Sequence, residues 1–224
     1  MEIKITDLTK IYRSGEQAIT ALGGVSLSFS AGESVAIVGR SGSGKTTLLN
    51  HLCGLDKPDS GSILFDEVEV THLSPDELSR MRRCRVGVVY QFFNLIPELN
   101  IRDNITLPIE LDGKEVDEQA LSDILKTVGL AGREADFPSA LSGGQQQRAA
   151  IARALLGQPS LILADEPTGN LDEETGMEIL DLLCRLNRKR GITLIVVTHS
   201  NTVAARMGRI ITLQNGCVVS DEAH

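Results

Sequence analysis

No apolar run in this sequence approaches the roughly 18 residues needed to carry a helix across a membrane. The longest candidates, such as Leu194-Ile195-Val196-Val197, are strand-sized and bounded by polar residues. The opening residues Met1-Glu2-Ile3-Lys4-Ile5 provide no apolar stretch suited to a secretory signal. A cytoplasmic chain is therefore expected, reaching a membrane only through a partner. An excess of positive charge is also lacking, because 30 Asp and Glu outweigh 22 Lys and Arg to give a net charge of −8. That balance argues against broad nucleic-acid binding, which needs a basic surface. The four cysteines, Cys53, Cys84, Cys184 and Cys217, form no CxxC pair. This spacing argues against a zinc site or a redox couple, leaving reduced, mostly buried thiols as the expectation. Internal repeats and low-complexity tracts are missing too.

What is present is ordinary for a globular protein, with 42% hydrophobic and 23% charged residues over 224 positions. Such a length supports one substantial domain or two small lobes. Alternation of Ile3 with Ile5, and of Val25, Leu27 and Phe29, predicts strands in the first 30 residues. Short apolar runs at Ser34 to Val38, Val86 to Val89, Leu161 to Ala164 and Thr193 to Val197 predict buried strands. Helices are expected at Lys45 to Leu52, after the Ser74-Pro75-Asp76-Glu77 capping box, at Val116 to Val128, at Gly143 to Leu156 and at Glu173 to Arg190. Asn215-Gly216 between two apolar segments signals a two-residue hairpin. Residues 92–157 lean helical. The pattern predicts an α/β protein whose parallel core comes from both ends of the chain, 1–91 and 158–224, with a helical lobe inserted between.

Gly39-Arg40-Ser41-Gly42-Ser43-Gly44-Lys45-Thr46, followed by Thr47, fits G-x-x-x-x-G-K-[ST]. Glycines let backbone N–H groups turn toward phosphate oxygens, and the following helix adds its positive end. Lys45 is placed to reach the β- and γ-phosphates of ATP, and the Thr46 hydroxyl to ligate Mg²⁺. The motif follows a predicted strand and opens a predicted helix, which is the context it needs.

Leu161 to Ala164 ends in Asp165-Glu166, putting two carboxylates at the carboxyl end of a core strand, where ligands sit in open α/β sheets. Asp165 is the candidate Mg²⁺ holder, and Glu166 is the candidate base for the attacking water. By itself such a pair is more often a solvated loop; the phosphate loop in the same chain favours the chemical reading. A second anion-friendly helix start occurs at Leu141-Ser142-Gly143-Gly144-Gln145, with capping-box spacing between Ser142 and Gln145. A well-capped helix and a phosphate contact account for it equally. One site needs a single cradle, so a second suggests a nucleotide bound to another subunit.

Taken together these residues resemble the ATP-binding cassette ATPases of membrane transporters, over essentially the whole chain and in the family's order. The resemblance implies a P-loop NTPase core, an N-terminal antiparallel β subdomain and an inserted helical subdomain. It also implies that Tyr12 stacks on adenine, that Gln91 touches Mg²⁺ or its water and senses the membrane partner, and that Ser142 and Gly144 contact the γ-phosphate held by the opposite subunit. Asp172 then belongs to a segment crossing between subunits, and His199 hydrogen-bonds the γ-phosphate. Catalysis would rest on Glu166, His199, Lys45 and Gln91. The metal would be held by Thr46, Gln91 and Asp165, and the nucleotide by residues 39 to 47, Tyr12, Ser142 to Gln145 and Asp172. His51, His72 and His224 match nothing in the family and are read as structural.

Gln91-Phe92-Phe93-Asn94-Leu95-Ile96-Pro97 and Asp165-Glu166-Pro167-Thr168-Gly169-Asn170-Leu171-Asp172 look like the MacB/LolD-type branch. That branch serves macrolide export, lipoprotein release, antimicrobial-peptide resistance and cell-division signalling. Ser200 departs from it, since an acidic residue is usual after the histidine. The implied assembly is a homodimer on ATP, docked on an integral membrane permease of the FtsX/MacB-like kind at the inner face of the membrane. The membrane partner is expected to dock near Gln91 and the apolar segment from Phe92 to Leu107, through exposed residues such as Phe93 and Leu95. Two other readings are a DNA-repair cassette and a mechanical regulator that moves no cargo. The first would need a coiled coil or zinc insert between the phosphate loop and the family's signature, here Leu141-Ser142-Gly143-Gly144-Gln145, and no heptads or CxxC occur there. The second is indistinguishable within this chain.

Overall fold

A computed structural model describes residues 1–15 and 17–223; His224 lies outside the described residues. Two sheets share the core. Strands β1 (Ile3–Ser14), β2 (Gln17–Phe29), β4 (Ser60–Phe65) and β5 (Val68–Glu69) form an antiparallel sheet in the order β2-β1-β4-β5. The second sheet joins β3 (Ser34–Val38), β6 (Val86–Tyr90), β7 (Leu161–Asp165), β8 (Thr193–Val197), β9 (Arg209–Gln214) and β10 (Cys217–Ala223) in the order β10-β9-β3-β8-β7-β6. All its pairings are parallel except the β9–β10 hairpin.

Burial on both faces explains why these strands read as unbroken apolar runs rather than alternating ones. The alternation survives in space. Val35, Ile37, Leu161, Leu163, Ile195 and Val197 pack toward the antiparallel sheet and helices α1 (Lys45–Leu52) and α2 (Pro75–Cys84). Ala36, Ile162, Ala164, Leu194 and Val196 point the other way. There they meet α3 (Ile101–Leu111), α4 (Glu118–Val128), α5 (Gly143–Leu156) and α6 (Glu173–Arg190). Helices α3, α4 and α5 follow one another between β6 and β7.

Local chemistry sets the boundaries. Ser74 and Glu77 form both halves of the capping box that opens α2. Asp117 caps α4 by accepting from Gln119 and Ala120 N–H, so this helix starts two residues beyond Val116. The Asn215-Gly216 turn has φ of 49° and 77°, the left-handed pair that matches the strand twist of a tight hairpin. Helix α3 and the β4–β5 hairpin are not marked by periodicity. Pro108 lies inside α3, and β4 begins Ser-Gly-Ser. All four cysteines are free; Cys53 and Cys184 are buried, but Cys84 is half-buried and Cys217 exposed.

Gly87 on β6 is where α5 comes closest to the sheet. A Cβ there would lie 2.8 Å from the carbonyl oxygen and 3.0 Å from the Cβ of Ala154. Gly87→Val is therefore expected to destabilise the fold by about 1–3 kcal/mol through overpacking. Urea unfolding would register it as a lower midpoint with an unchanged slope.

Candidate functional site

The parallel register brings four strand ends level. Tyr90 pairs with Asp165, Asp165 with Val197, and Val197 with Ile37. Residues just beyond these pairs therefore share one edge: Gln91, Glu166, Thr198 with His199, and the loop from Gly39. Ligands of open α/β sheets bind at that edge.

The loop at 39–44 is shaped by what surrounds it. A Cβ on Gly39 would stand 2.2 Å from Leu213 O and 2.6 Å from Ser43 Oγ, and one on Gly44, at φ 100°, would stand 2.4 Å from Ala21 O. Gly216 N–H donates to Ser43 O (3.1 Å) and Gly23 N–H to Gly216 O (2.9 Å), so the hairpin turn braces the loop from behind. No side chain caps α1. Its first N–H groups are consequently available to an anion, together with the positive end of the helix. Lys45 Nζ donates to Gly39 O (2.9 Å) and Arg40 O (3.0 Å), arching over the loop.

A cleft of about 580 Å³ opens in front. Ser41, Gly42 and Thr47 line it with Tyr12, Lys45, Thr46, Asp165, Glu166 and His199. Thr46 Oγ1 donates to Asp165 Oδ2 over a long 3.5 Å. Burial, and then the neighbouring Glu166 charge, raise the Asp165 pKa, against the opposing pull of Thr46 and Lys45. A hard cation would relieve this accumulation of negative charge, and the Thr46–Asp165 oxygen pair suits Mg²⁺, which takes few protein oxygens and completes its shell with phosphate and water.

Glu166 adopts φ 45° and turns its carboxylate to the end of β8. It accepts from Thr198 Oγ1 (3.1 Å), His199 N–H (3.0 Å) and His199 Nδ1 (2.7 Å). A carboxylate has about four acceptor positions, so three donors fix its orientation and leave one for water. Ser200 caps the short helix α7 (Asn201–Ala204) through Val203 N–H (3.3 Å) and donates its own N–H to Thr198 Oγ1 (3.0 Å). Tyr12 is 42% exposed, with its hydroxyl tied to Asp56 (2.8 Å) and Lys10 Nζ 5.2 Å from its ring centroid.

The other candidates stand apart from this cleft. Gln91 lies on Asn170 rather than among the lining residues. Ser142 and Gln145 complete a reciprocal capping box at the start of α5. Gly144 is needed for packing, since a Cβ there would fall 2.4 Å from Thr175 Cγ2 at the start of α6. Asp172 caps α6 through Thr175 N–H (3.0 Å), which holds its carboxyl below the usual range. His51 is buried, its Nδ1 2.7 Å from Thr47 O. His72 sits exposed beside Glu69. Phe93 and Leu95 are half-buried, Leu95 against the core; the residues exposed in their place are Phe92 (73%) and Ile96 (38%).

Sequence reasoning missed Thr198, Asp56, Gln147 and Arg153. Fully buried Gln147 donates to Pro167 O (2.6 Å) and Tyr90 O (3.3 Å), tying α5 to both loops. Arg153 donates to Phe93 O (2.8 Å) and Asn94 O. Nothing in the run Gln145-Gln146-Gln147 distinguishes the last member; only the helical turn does.

Fold and site together define a phosphate-loop nucleoside triphosphatase. A family model described as ABC transporter matches residues 22–169. The lipoprotein-releasing system ATP-binding protein LolD of Geobacter metallireducens is 45% identical over 98% of both chains. The macrolide export ATP-binding/permease protein MacB of Syntrophobacter fumaroxidans is 44% identical over 96% of this chain, which spans 31% of that protein's length. A dimeric post-hydrolysis structure of the cassette MJ0796 of Methanocaldococcus jannaschii, bound to ADP and Pi, superposes with a TM-score of 0.90 at 44% identity, covering 99% of this chain and 98% of that one. The chain belongs to the ABC transporter family. It is an ATP-binding, ATP-hydrolysing subunit of that type, within the MacB/LolD-type branch.

Asp165→Asn should remove hydrolysis yet raise stability at pH 7 by at most about 1 kcal/mol, the usual sign of the trade between site chemistry and fold. A raised native pKa means that the ionised carboxylate opposes folding above that pKa and is neutral below the ordinary carboxylate range. Thermal melts should show the gain at pH 7 and lose it as pH falls below about 4.

Proposed function

We propose that two copies of the chain close head to tail over two Mg-ATP, each nucleotide lying between Lys45 of one copy and Ser142 of the other, and that this closure drives a separate membrane permease. The observation that carries the reading is the separation of two phosphate-friendly helix starts. The N-terminus of α1 opens onto the cleft, while Ser142 to Gln145 at the start of α5 lie outside its lining. A second chain placed head to tail would bring the unused start to the open side of the cleft. The MJ0796 cassette, which is dimeric with ADP and Pi bound, supports pairing of two copies.

In this reading Lys45 and the loop N–H groups bind phosphate, and Tyr12 offers its open ring face to adenine. Thr46 and Asp165 hold Mg²⁺, with Gln91 at the ion or its water. Mg²⁺ supplies charge neutralisation on the phosphates. Glu166 takes the proton of the attacking water, and His199, which orients Glu166, contacts the γ-phosphate. Residues 92–157 form a lobe that carries the signature toward the partner copy. Closure needs ATP and hydrolysis ends it, so the cycle shifts a population between open and closed dimers.

No helix among the described residues is long and apolar enough to cross a membrane. The proposed attachment is therefore through a permease of the FtsX/MacB-like kind at the inner face of the membrane. Phe92 and Ile96 offer exposed apolar area, and Asn94 of the same loop lines a groove of about 330 Å³ together with Arg82, Arg83, Tyr90, Pro108 and Arg153. A permease helix laid into this groove suits both features. The names of the LolD and MacB relatives favour moved cargo over signalling alone.

Glu166→Gln should lower kcat by a factor of about 100 or more, the scale of lost general-base catalysis. Size-exclusion chromatography of that variant should show a dimer with ATP and a monomer without it. Persistent turnover would remove Glu166 from the role of base, and a variant monomeric at saturating ATP would overturn the shared site. Lys45→Ala should weaken ATP binding itself, measured by equilibrium dialysis.

A further inference from the structure

Between the two loops that leave β6 and β7, a pair of side-chain amides closes a ring. Asn170 Nδ2 donates to the backbone carbonyl of Gln91 (3.0 Å), and Gln91 Nε2 donates to Asn170 Oδ1 (2.9 Å). A backbone carbonyl can only accept, so Asn170 must present its nitrogen there. Its oxygen then faces the Gln91 side chain, which must answer with nitrogen. The polarity of both amides follows from one carbonyl, with no freedom to flip.

The surroundings hold the ring in place. A Cβ on Gly169 would lie 2.9 Å from Gln91 Nε2, so the space that glycine leaves is the space the amide occupies. Behind the pair, the buried Gln147 amide ties Tyr90 O, next to Gln91, to Pro167 O, next to Glu166. The two loops therefore cannot slide past each other without breaking both the Gln91–Asn170 ring and the Gln147 bonds.

We infer that Asn170 is a positioning residue for the metal. By committing the nitrogen of Gln91, it leaves Oε1 as that side chain's uncommitted atom. Oxygen is the donor that Mg²⁺ or its water shell takes; an amide nitrogen in its place would meet the ion with N–H. The inference rests on the proposed reading of Gln91 as a contact to Mg²⁺ or its water. It adds that the oxygen-out orientation is imposed by Asn170 rather than by the ion.

The test uses the full chain loaded with a non-hydrolysable ATP analogue and titrated with Mg²⁺ by calorimetry, so that turnover plays no part. Asn170→Leu keeps the size and removes both hydrogen bonds. It should weaken Mg²⁺ binding by about three- to tenfold, the scale of one or two neutral hydrogen bonds. In a Gln91→Glu background, where oxygen is presented in either orientation, adding Asn170→Leu should cause no further loss. A loss of equal size in both backgrounds would mean that Asn170 merely supports the loop and would overturn the inference. So would unchanged Mg²⁺ affinity in Asn170→Leu when Gln91→Ala weakens it. If Gln91→Ala leaves the affinity unchanged, the metal role of Gln91 fails first, and the inference with it. Should Asn170→Leu not fold, Asn170→Ser, too short to reach Gln91, carries the same expectation.

Discussion

The common level at which β3, β6, β7 and β8 end is the constraint on which the rest depends. Parallel neighbours in fixed register deliver their following residues to one edge, whatever those residues are. The phosphate loop, Gln91, the Asp165-Glu166 pair and Thr198-His199 come from widely separated parts of the chain and meet for this reason alone. A slip of one residue in any of these strands would also exchange its two faces, sending core residues of the antiparallel side into the helical side. Because both faces are packed, the register is held by two hydrophobic cores at once. The level at which the site's backbone is delivered is thus inherited from burial, and bonds within the site then orient its side chains.

Electrostatics then works on groups that packing has already placed. Two adjacent carboxylates at a strand end repel, and burial makes the ionised form of Asp165 costlier still. The chain answers the two differently. Glu166 is turned away into three donors from the end of β8, while Asp165 stays half-buried beside Thr46 with incomplete neutralisation. One acid is satisfied by protein and the other is left in want of a cation, which is how neighbouring identical charges come to serve different purposes.

Much of this was legible because the relevant signals are local. A strand, a glycine loop and a helix can be read from consecutive residues, and so can Ser74 with Glu77, Ser142 with Gln145, and Asn215-Gly216. What was not legible is what depends on distant partners. Gly144 reads as an uncovered helix start, yet its packing necessity comes from Thr175, far along the chain. The exposure of Phe92 and Ile96 in place of Phe93 and Leu95 follows from the left-handed backbone of Phe93 and Asn94, which no periodicity foretells. Pro108 hid α3, because its cost to a helix is visible in sequence while the compensating burial of Ile101 and Ile105 is not.

That left-handed turn is informative about where the molecule holds tension. Among the described residues seven non-glycine positions have positive φ, and four of them are Asp, Gln or Asn: Asp66 and Asn215 in turns, Asp7 at an irregularity of β1 and Gln158 just past α5. The other three, Phe93, Asn94 and Glu166, lie in the two loops that border the site. Phenylalanine and glutamate gain nothing locally from this conformation, so it persists because something else holds it. The holders are identifiable: Arg153 of α5 grips the carbonyls of Phe93 and Asn94, and Thr198 with His199 grips Glu166. Arg153 shares its helix with Gln147, and Gln147 ties the roots of both loops together. The strained loop beside the exposed Phe92 and the loop carrying the acidic pair are therefore both tied to the same helix, α5, the first through Arg153 and the second through Gln147. A shift of α5 would act directly on the Arg153 grip and, through the Gln147 bond to Pro167 O, on the residue next to Glu166, which gives the proposed coupling a physical carrier that needs no contact between the permease and the nucleotide.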